Sequence, residues 1–393
     1  LVLLSSIFFH SHKQIMFVNY MPFLFLALIS IEKKNFVAFT LCGSLIVLHS
    51  YFYCIGCFIV CFIYLLYRHP GEWKKLFVSY ILIVLLTAIL TIPTLLVILS
   101  NGKSGAPTQL ASLFIPSLNL KGLLYSEYGC GLTYISYVLL VLALSDKQLQ
   151  KLSAVCLVSF YSPFVWFIMN GFLYARSKIM LVFIPLVAYI MCMMLVKIKE
   201  GNIKLSKYSL VLLIIPVFFI KYPLSALIDC LFVILLLLQK RKNLIYAYLV
   251  IPMLVVSYTN CPSSFYQPKK YEKNVSQLVR RNKIVTAADL TTRQNVNQTY
   301  GNRIKRVSGY TSTNNKYYNT FLFDTLRIPI PTNNRVAQND TDNIFYLRAL
   351  GIDTVISKRQ APYGYSLKDQ AKKIKLYQSN TALPQAYATS SLM

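Results

Sequence analysis

The chain is poor in acidic residues, histidine and tryptophan. Its 393 residues include 13 Asp and Glu against 40 Lys and Arg, with four His and two Trp. So few histidines leave no His-rich metal set, since His10 and His12 supply two ligands at best. There is also no Walker A loop, no G-x-G-x-x-G fingerprint and no serine nucleophile elbow. The common nucleotide-binding and serine-hydrolase motifs are therefore absent.

Hydrophobic residues are abundant instead. They make up 56% of the chain, and the mean hydropathy is +0.52. These values are typical of a polytopic α-helical membrane protein rather than a soluble one. With about 20 apolar residues needed per span, residues 1–259 form a predicted transmembrane domain of ten spans and one partial span. The partial span is 1–9, and the others are 14–31, 35–50, 52–67, 76–99, 129–145, 151–169, 178–196, 206–220, 222–239 and 242–259.

The run 35–67 is too long for one straight span. Its middle, "LHSYFYC", is a polar and aromatic break of the kind found at a membrane surface, so we predict two short helices. With that division, 14 Lys and Arg lie on one side of the membrane and six on the other, and the positive-inside rule places the larger set in the cytoplasm. The larger set is Lys33, Lys34, Arg68, Lys74, Lys75, Lys147, Lys151, Lys197, Lys199, Lys204, Lys207, Lys240, Arg241 and Lys242; the smaller is Lys13, Lys103, Lys121, Arg176, Lys178 and Lys221.

The same orientation puts residues 260–393 outside the cytoplasm as a separate domain. This segment has 20 Lys and Arg and seven Asp and Glu, a net charge of +13. Its pattern predicts a mixed α/β fold. Helices are predicted near 270–281, 317–326 and 342–350, and strands in "KIVTA", "DTVIS" and "IKLYQ". The location argues against nucleic acid as a partner and favours an anionic polymer of the cell envelope.

The sequence "IMNGFLYARSK" (168–178) joins two apolar segments on the predicted outer side. It contains Asn170, Gly171, Tyr174, Arg176 and Lys178, and two cations are more than a simple turn requires. Anionic lipid headgroups or snorkelling of the lysine account for them in one interpretation. In the other they recognise a phosphate, since arginine offers a planar fork of donors, lysine a point charge, and glycine a close backbone approach.

Two acidic residues in the membrane half are candidates for chemistry. Glu127, in the outward loop "LLYSEYGCG", is a candidate catalytic base, with a solvated loop glutamate as the alternative. Asp229 is the one carboxylate well inside a predicted span, where charge is costly unless it is used. A hydrogen bond to a neighbouring helix explains Asp229 as well as a functional role does, so we do not assign it to catalysis.

Cys54, Cys57 and Cys61 share one helical face. Without an accompanying histidine or acid, this pattern favours packing in an apolar helix over a metal site. No metal ligand set is predicted, and a requirement for a divalent metal is left open.

Three blocks of the sequence resemble the YfhO family of bacterial membrane proteins. They are "NYMPFLFLALISIEKK" (19–34), "PFVWFIMNGFLYARSK" (163–178) and "ALGIDTVISKRQAPYGYS" through "LYQSNTALPQAYATSSLM" (349–393). The resemblance suggests a Firmicute-like source and a fragment that lacks both ends of the family's chain. It departs from the family at "RSK" (176–178), where many members carry an aromatic residue after the arginine.

The resemblance implies a GT-C-type glycosyltransferase of the bacterial plasma membrane. Such an enzyme takes a sugar from a polyprenyl-phosphate donor at the outer face and transfers it to a wall polymer such as lipoteichoic acid. The family's expected catalytic acid lies in an earlier loop, so it is expected outside these residues, with Glu127 as the candidate within them. Arg176, helped by Lys178 and Asn170, would then hold the lipid phosphate.

Two other classes of function stay open on the sequence. One is a transporter or flippase for the lipid-linked sugar, although no internal repeat or pair of broken spans is evident. The other is a non-catalytic envelope scaffold whose outer domain only binds polymer.

Overall fold

The computed structural model shows a mostly helical chain with a small C-terminal sheet. It divides into two compact units, Leu1–Ile92 with Thr108–Tyr266, and Pro93–Pro107 with Gln267–Met393. The residues described are 10–11, 15–100, 110–117, 123–126, 129–201, 226–229, 231, 250, 273–291, 309–310, 315–329, 337–338 and 341–383. The predicted spans 1–9, 206–220 and 242–259 lie outside these residues, apart from position 250, as does most of 222–239.

Four apolar helices come first, and the last of them continues beyond Ile92, where the first stretch of the first unit ends. A short 3-10 turn at Ile15–Phe17 precedes them, and their bounds are α1 (Met21–Glu32), α2 (Phe36–His49), α3 (Cys54–Arg68) and α4 (Trp73–Ser100). The predicted division of 35–67 into two helices is confirmed, since α2 and α3 are separated by the turn at Tyr51–Tyr53. Asn35 begins α2 as a cap, its side chain accepting a hydrogen bond from the backbone N–H of Ala38 at 3.0 Å.

Contacts at their ends show that α1 and α3 run parallel. At the start of both helices, the rings of Tyr20 and Tyr53 stack with centroids 5.0 Å apart. At the other end, Arg68 Nε donates to Glu32 Oε2 at 2.9 Å. We call these the aromatic end, which carries Phe17, Tyr20, Phe52 and Tyr53, and the charged end, which carries Glu32, Lys33, Arg68 and His69. Lys33 and Arg68 thus share one end, as the alternation of predicted spans requires.

The remaining elements of the first unit are shorter or bent. They are α5 (Leu110–Leu113), α6 (Tyr134–Ala143), α7 (Gln150–Tyr161), α8 (Pro163–Met169), a 3-10 helix at Ser177–Phe183 and α9 (Ile184–Glu200). Within the described residues, three helical stretches are long and apolar enough to cross a membrane, namely Ile15–Glu32, Pro70–Ser100 and Ser177–Glu200. The predicted spans 14–31, 76–99 and 178–196 correspond to them. The helices α2, α3 and α6 are apolar but shorter.

The prediction of one straight span over 151–169 is wrong. Here α7 and α8 meet at an angle of 91°, either as a broken span or as a re-entrant segment. The cause is the pair Ser162-Pro163, because a proline pushes the residue before it out of the helical region. Ser162 has φ −100° and ψ 106°, and its hydroxyl accepts a hydrogen bond from the N–H of Val165 at 3.4 Å. One helix therefore ends where a second, capped helix begins.

The predicted span 129–145 is helical only over α6. Gly129 and Gly131 have positive φ angles of 117° and 59°, which a continuing right-handed helix does not permit. The helix starts after Thr133, whose hydroxyl accepts a hydrogen bond from the N–H of Ser136 at 3.2 Å. Every residue of α6 is buried.

The second unit is a small mixed α/β fold. Its helices and strands are α10 (Lys273–Arg281), β1 (Ala288–Asp289), β2 (Gly309–Tyr310), α11 (Lys316–Asn319), which continues as a π-helix over Thr320–Thr325, β3 (Ala337–Gln338), α12 (Ile344–Ala349), β4 (Thr354–Ser357), β5 (Ser366–Ala371) and β6 (Ile374–Gln378). The larger sheet has the order β1-β4-β6-β5, with β1 parallel to β4 and the other pairs antiparallel. β2 and β3 pair antiparallel by themselves.

Most predicted elements of this unit are confirmed. The helices near 270–281, 317–326 and 342–350 are present, and so are the strands in "DTVIS" and "IKLYQ". Gly351 has the positive φ of 63° expected just after a helix. The strand predicted in "KIVTA" is wrong by a few residues, because Lys283 turns the chain with φ 53° and the strand begins only at Ala288. Strand β5 was not predicted, because its sequence, "SLKDQA", is mostly polar and lacks the apolar alternation typical of a strand.

An ion pair joins the segment after α6 to α9. Lys197 Nζ donates to Asp146 Oδ2, and Asp146 Oδ1 accepts the backbone N–H groups of Gln148 and Leu149 at 3.0 Å each. Burial raises the pKa of the Asp146 carboxyl, but the lysine and the two N–H groups together outweigh it and hold the pKa below its usual value. Asp146 therefore fixes both the start of α7 and its attachment to α9.

We predict that Asp146→Asn lowers the free energy of unfolding by up to about 1 kcal/mol at neutral pH. A group whose pKa is lowered in the folded state stabilises it above its unfolded pKa and loses that effect as pH falls through the folded value. The difference between variant and wild type should therefore begin to shrink as the pH falls below about 4 and disappear once the pH is below the lowered pKa of the folded state. Thermal unfolding in detergent across this range measures it. Asparagine keeps an oxygen for the two N–H groups, so a pH-independent difference would contradict the role of charge.

Candidate functional site

The hairpin at 170–178 is closed by the side chain of Asn170. Its Nδ2 donates to the carbonyl oxygens of Trp166, at 2.7 Å, and of Arg176, at 3.2 Å. The Trp166 carbonyl belongs to α8, and the Arg176 carbonyl lies just before the 3-10 helix at Ser177–Phe183. The amide therefore joins the two sides of the hairpin. Asn170 is 4% exposed, and its Oδ1 has no hydrogen-bond partner within the described part of the chain. The structure thus gives Asn170 a positioning role.

Gly171 makes the turn of the hairpin. It has φ +65°, followed by Phe172 with φ +61°. A Cβ atom at Gly171 would also lie 2.9 Å from Cδ1 of Ile55 on α3. The left-handed backbone conformation therefore favours glycine here, and an added methyl group would also require the end of the Ile55 side chain to move.

Tyr174 and Arg176 lie at the aromatic end. The ring of Tyr174 stacks on Phe52 with centroids 6.1 Å apart and planes at 18°. The guanidinium carbon of Arg176 lies 5.7 Å from the centroid of the Tyr174 ring, a distance suited to cation–π attraction. Arg176 is exposed, and no carboxylate pairs with it among the described residues. Its charge is thus held in place but left uncompensated by any acid there.

The amino group of Lys178 lies among aromatic rings from three segments. Its Nζ is 4.3 Å from the ring centroid of Phe52, 5.4 Å from that of Tyr174 and 5.7 Å from that of Phe17. Lysine and arginine therefore occupy different environments, with Lys178 embedded in the aromatic cluster and Arg176 at its edge. The sequence placed both cations in the hairpin, but it did not show that distant aromatic residues surround one of them.

The same aromatic cluster extends from the hairpin to the starts of α1 and α3. The ring of Tyr53 contacts those of Tyr20, Phe52 and Phe17, with centroids 5.0, 4.9 and 5.7 Å away. The break "LHSYFYC" was the signal in the sequence, since aromatic residues concentrate at membrane interfaces. What it did not reveal is that this break packs against the hairpin.

Asp229 joins a different part of the first unit. Its Oδ2 accepts hydrogen bonds from the Tyr125 hydroxyl at 2.5 Å and the backbone N–H of Tyr134 at 3.1 Å. Asp229 is 1% exposed. The two tyrosines flank positions 127–128, and the candidate base Glu127 lies outside the described residues. The structure therefore supports the structural interpretation of Asp229, as the residue that ties this loop to a helical segment.

No candidate metal centre emerges where the structure is described. In those residues no group of three or more His, Cys, Asp or Glu stands close enough together to hold an ion. Cys57 and Cys61 are buried, and the thiol of Cys54 donates to the carbonyl oxygen of Tyr51 at 3.0 Å. His10 is buried and packs on Phe17, with centroids 4.8 Å apart, whereas His12 lies outside the described residues.

Comparisons of the chain with protein-family models, with curated proteins and with solved structures found no match. The resemblance to the YfhO family thus stays a prediction from the quoted sequence blocks.

We predict that Gly171→Ala destabilises the protein more than Gly201→Ala does. Both glycines have left-handed conformations, with φ +65° and +78°, so both variants lose about 1 to 2 kcal/mol from backbone strain. Only at position 171 does the added methyl also meet a neighbour, Cδ1 of Ile55; because this atom ends a flexible side chain that is 43% exposed, the additional cost should be small. Thermal midpoints of the two variants in the same detergent make the comparison. Equal midpoints would show that the approach of α3 to the hairpin does not constrain this residue.

Proposed function

We propose that the hairpin at 170–178 binds the phosphate of a lipid-linked sugar at the outer surface of a bacterial plasma membrane. The observation that supports this proposal is the environment of the Arg176 side chain. Arg176 is exposed, its backbone carbonyl is held by Asn170, its guanidinium lies against Tyr174, and no described carboxylate neutralises it. A guanidinium in such a position can donate two parallel hydrogen bonds to a phosphate.

The depth of the hairpin supports a lipid as the carrier of that phosphate. Phe172 and Leu173 at its turn are 63% and 46% exposed, and apolar side chains of this size partition into the membrane interface. The aromatic cluster beside them is typical of the same depth. A phosphate bound at Arg176 would thus lie at the level of lipid headgroups, with its hydrocarbon directed into the bilayer.

The reaction we infer is glycosyl transfer of the GT-C type from a polyprenyl-phosphate sugar to an anionic envelope polymer. Arg176 would stabilise the charge that develops on the lipid phosphate as the sugar leaves. Lys178 adds positive charge nearby while remaining in its aromatic surroundings, and Gly171 and Asn170 hold the backbone. The acceptor hydroxyl requires a base, for which Glu127 is the candidate in this chain. The basic segment 260–393 would attract the polymer, and salt would weaken that attraction.

We predict that Arg176→Ala reduces sugar transfer by about 100-fold or more, because one preorganised donor to a developing anion is worth that much. Arg176→Lys should recover part of the activity, since it restores the charge without the planar fork. Transfer is measured in membranes from cells producing the full-length protein, with a labelled polyprenyl-phosphate sugar. Lys151→Ala, which removes an exposed cation at the start of α7, outside both the hairpin and the segment 260–393, is the control. Undiminished transfer by correctly inserted Arg176→Ala would refute the assignment.

A second function, transport of the lipid-linked sugar across the membrane, is favoured by the 91° bend between α7 and α8. Many transporters have such broken helices next to their substrate sites, and the hairpin follows α8 directly. We predict that, if the protein is a transporter, vesicles containing it move the lipid-linked sugar between leaflets in the absence of any acceptor polymer. Pro163→Ala should slow this movement. Transfer to acceptor without leaflet exchange would instead favour the enzyme.

A further inference from the structure

An open groove runs along one side of the first unit. It has a volume of about 710 Å³ and lies between α1 and α9, with Tyr64 of α3 at one end. On α1 it is lined by Met21, Pro22, Phe25, Leu28, Ile29, Glu32 and Lys33. Ligand sites in proteins have volumes of this size.

The walls of the groove are apolar and partly exposed. Phe25 and Ile29 on α1 are 36% and 50% exposed, whereas Leu28 and Ala188 are buried in its floor. The lining residues of α1 recur every three or four positions, so they form one face of the helix. At 1.5 Å per residue the 12 residues of α1 extend about 18 Å. A narrow apolar channel of this length suits a hydrocarbon chain.

All charged residues of the lining lie at the charged end. Glu32 there is already bonded, because its Oε2 accepts Arg68 Nε at 2.9 Å and the Tyr64 hydroxyl at 3.0 Å. Lys33 is exposed and forms no ion pair with any described residue. The next residue, Lys34, is exposed as well. The groove mouth therefore carries positive charge that its own acid does not neutralise.

We propose that this groove binds one acyl chain of an anionic phospholipid, with the phosphate of the headgroup at Lys33. An apolar groove on a helix face in the bilayer is filled by lipid, and basic residues beside such grooves select anionic headgroups. The lipid belongs to the leaflet at the charged end, whereas the hairpin is at the aromatic end. The site is thus separate from the proposed sugar-lipid site and does not depend on it.

Two pairs of variants test the proposal. Ile29→Trp places a bulky ring into the groove, and Ile81→Trp is its control, since Ile81 is similarly exposed, at 48%, but belongs to α4, which does not line the groove. Lys33→Gln removes the charge at the mouth. Its control is Lys151→Gln, which removes an exposed lysine at the start of α7.

The measurement is native mass spectrometry of the purified full chain titrated with dioleoyl phosphatidylglycerol or dioleoyl phosphatidylcholine. We expect wild type and both controls to retain one phosphatidylglycerol in preference to phosphatidylcholine. Lys33→Gln should weaken phosphatidylglycerol binding about fivefold, as expected for one lysine near a membrane surface, and Ile29→Trp should abolish the bound lipid.

Three results would overturn the proposal. The first is equal retention of the two phospholipids by wild type, which would remove the headgroup contact. The second is unchanged retention by Ile29→Trp, which would place the lipid elsewhere. The third is displacement of phosphatidylglycerol by an equimolar isoprenyl phosphate, which would make the groove part of a sugar-lipid site. None of these results depends on whether Arg176→Ala affects sugar transfer.

Discussion

The hairpin keeps its place because the amino group of Lys178 lies among aromatic rings from three separate segments of the chain. Phe17 precedes α1, Phe52 lies between α2 and α3, and Tyr174 belongs to the hairpin itself. A cation over a ring gains from about 0.5 to 2 kcal/mol, more when water is excluded. Several such contacts hold together segments that are joined by no disulfide and no strand among the described residues. The exposed Arg176 is positioned by its neighbours in this arrangement.

Polar side chains inside the first unit also join segments that are distant in the sequence. A polar group with little exposure to solvent is costly unless it is hydrogen-bonded, and three such side chains each join two elements. Asn170 joins α8 to the backbone at Arg176, and Asp229 joins Tyr125 to the start of α6. Asp146, just before α7, forms an ion pair with Lys197 of α9. The apolar helices supply most of the packing, and these few bonds join particular elements within it.

The two ends of the first helices differ in chemistry, and both proposals depend on that difference. At the aromatic end a guanidinium lacks a carboxylate partner among the described residues, whereas at the charged end Glu32 is matched by Arg68 and Tyr64 and leaves Lys33 unmatched. In the membrane arrangement that we propose, these ends face opposite leaflets. A phosphate-bearing lipid at either end would meet a basic side chain, but the surroundings differ, with exposed aromatic and apolar side chains at the hairpin and an apolar groove beside Lys33.

The sequence by itself determined where α1 to α4 and α9 lie, because hydropathy and helix ends are local properties. The division of 35–67, the helix near 342–350 and the strand "DTVIS" all follow from residues next to them in the chain. It could not predict the bend at Ser162, since a proline after an apolar helix either kinks it or ends it. Only the tertiary structure decided that Phe17 and Phe52 surround Lys178, that Asp229 holds Tyr125, and that Lys33 borders a groove. Each of these contacts joins residues far apart in the chain, and their proximity depends on how apolar helices of similar composition pack together.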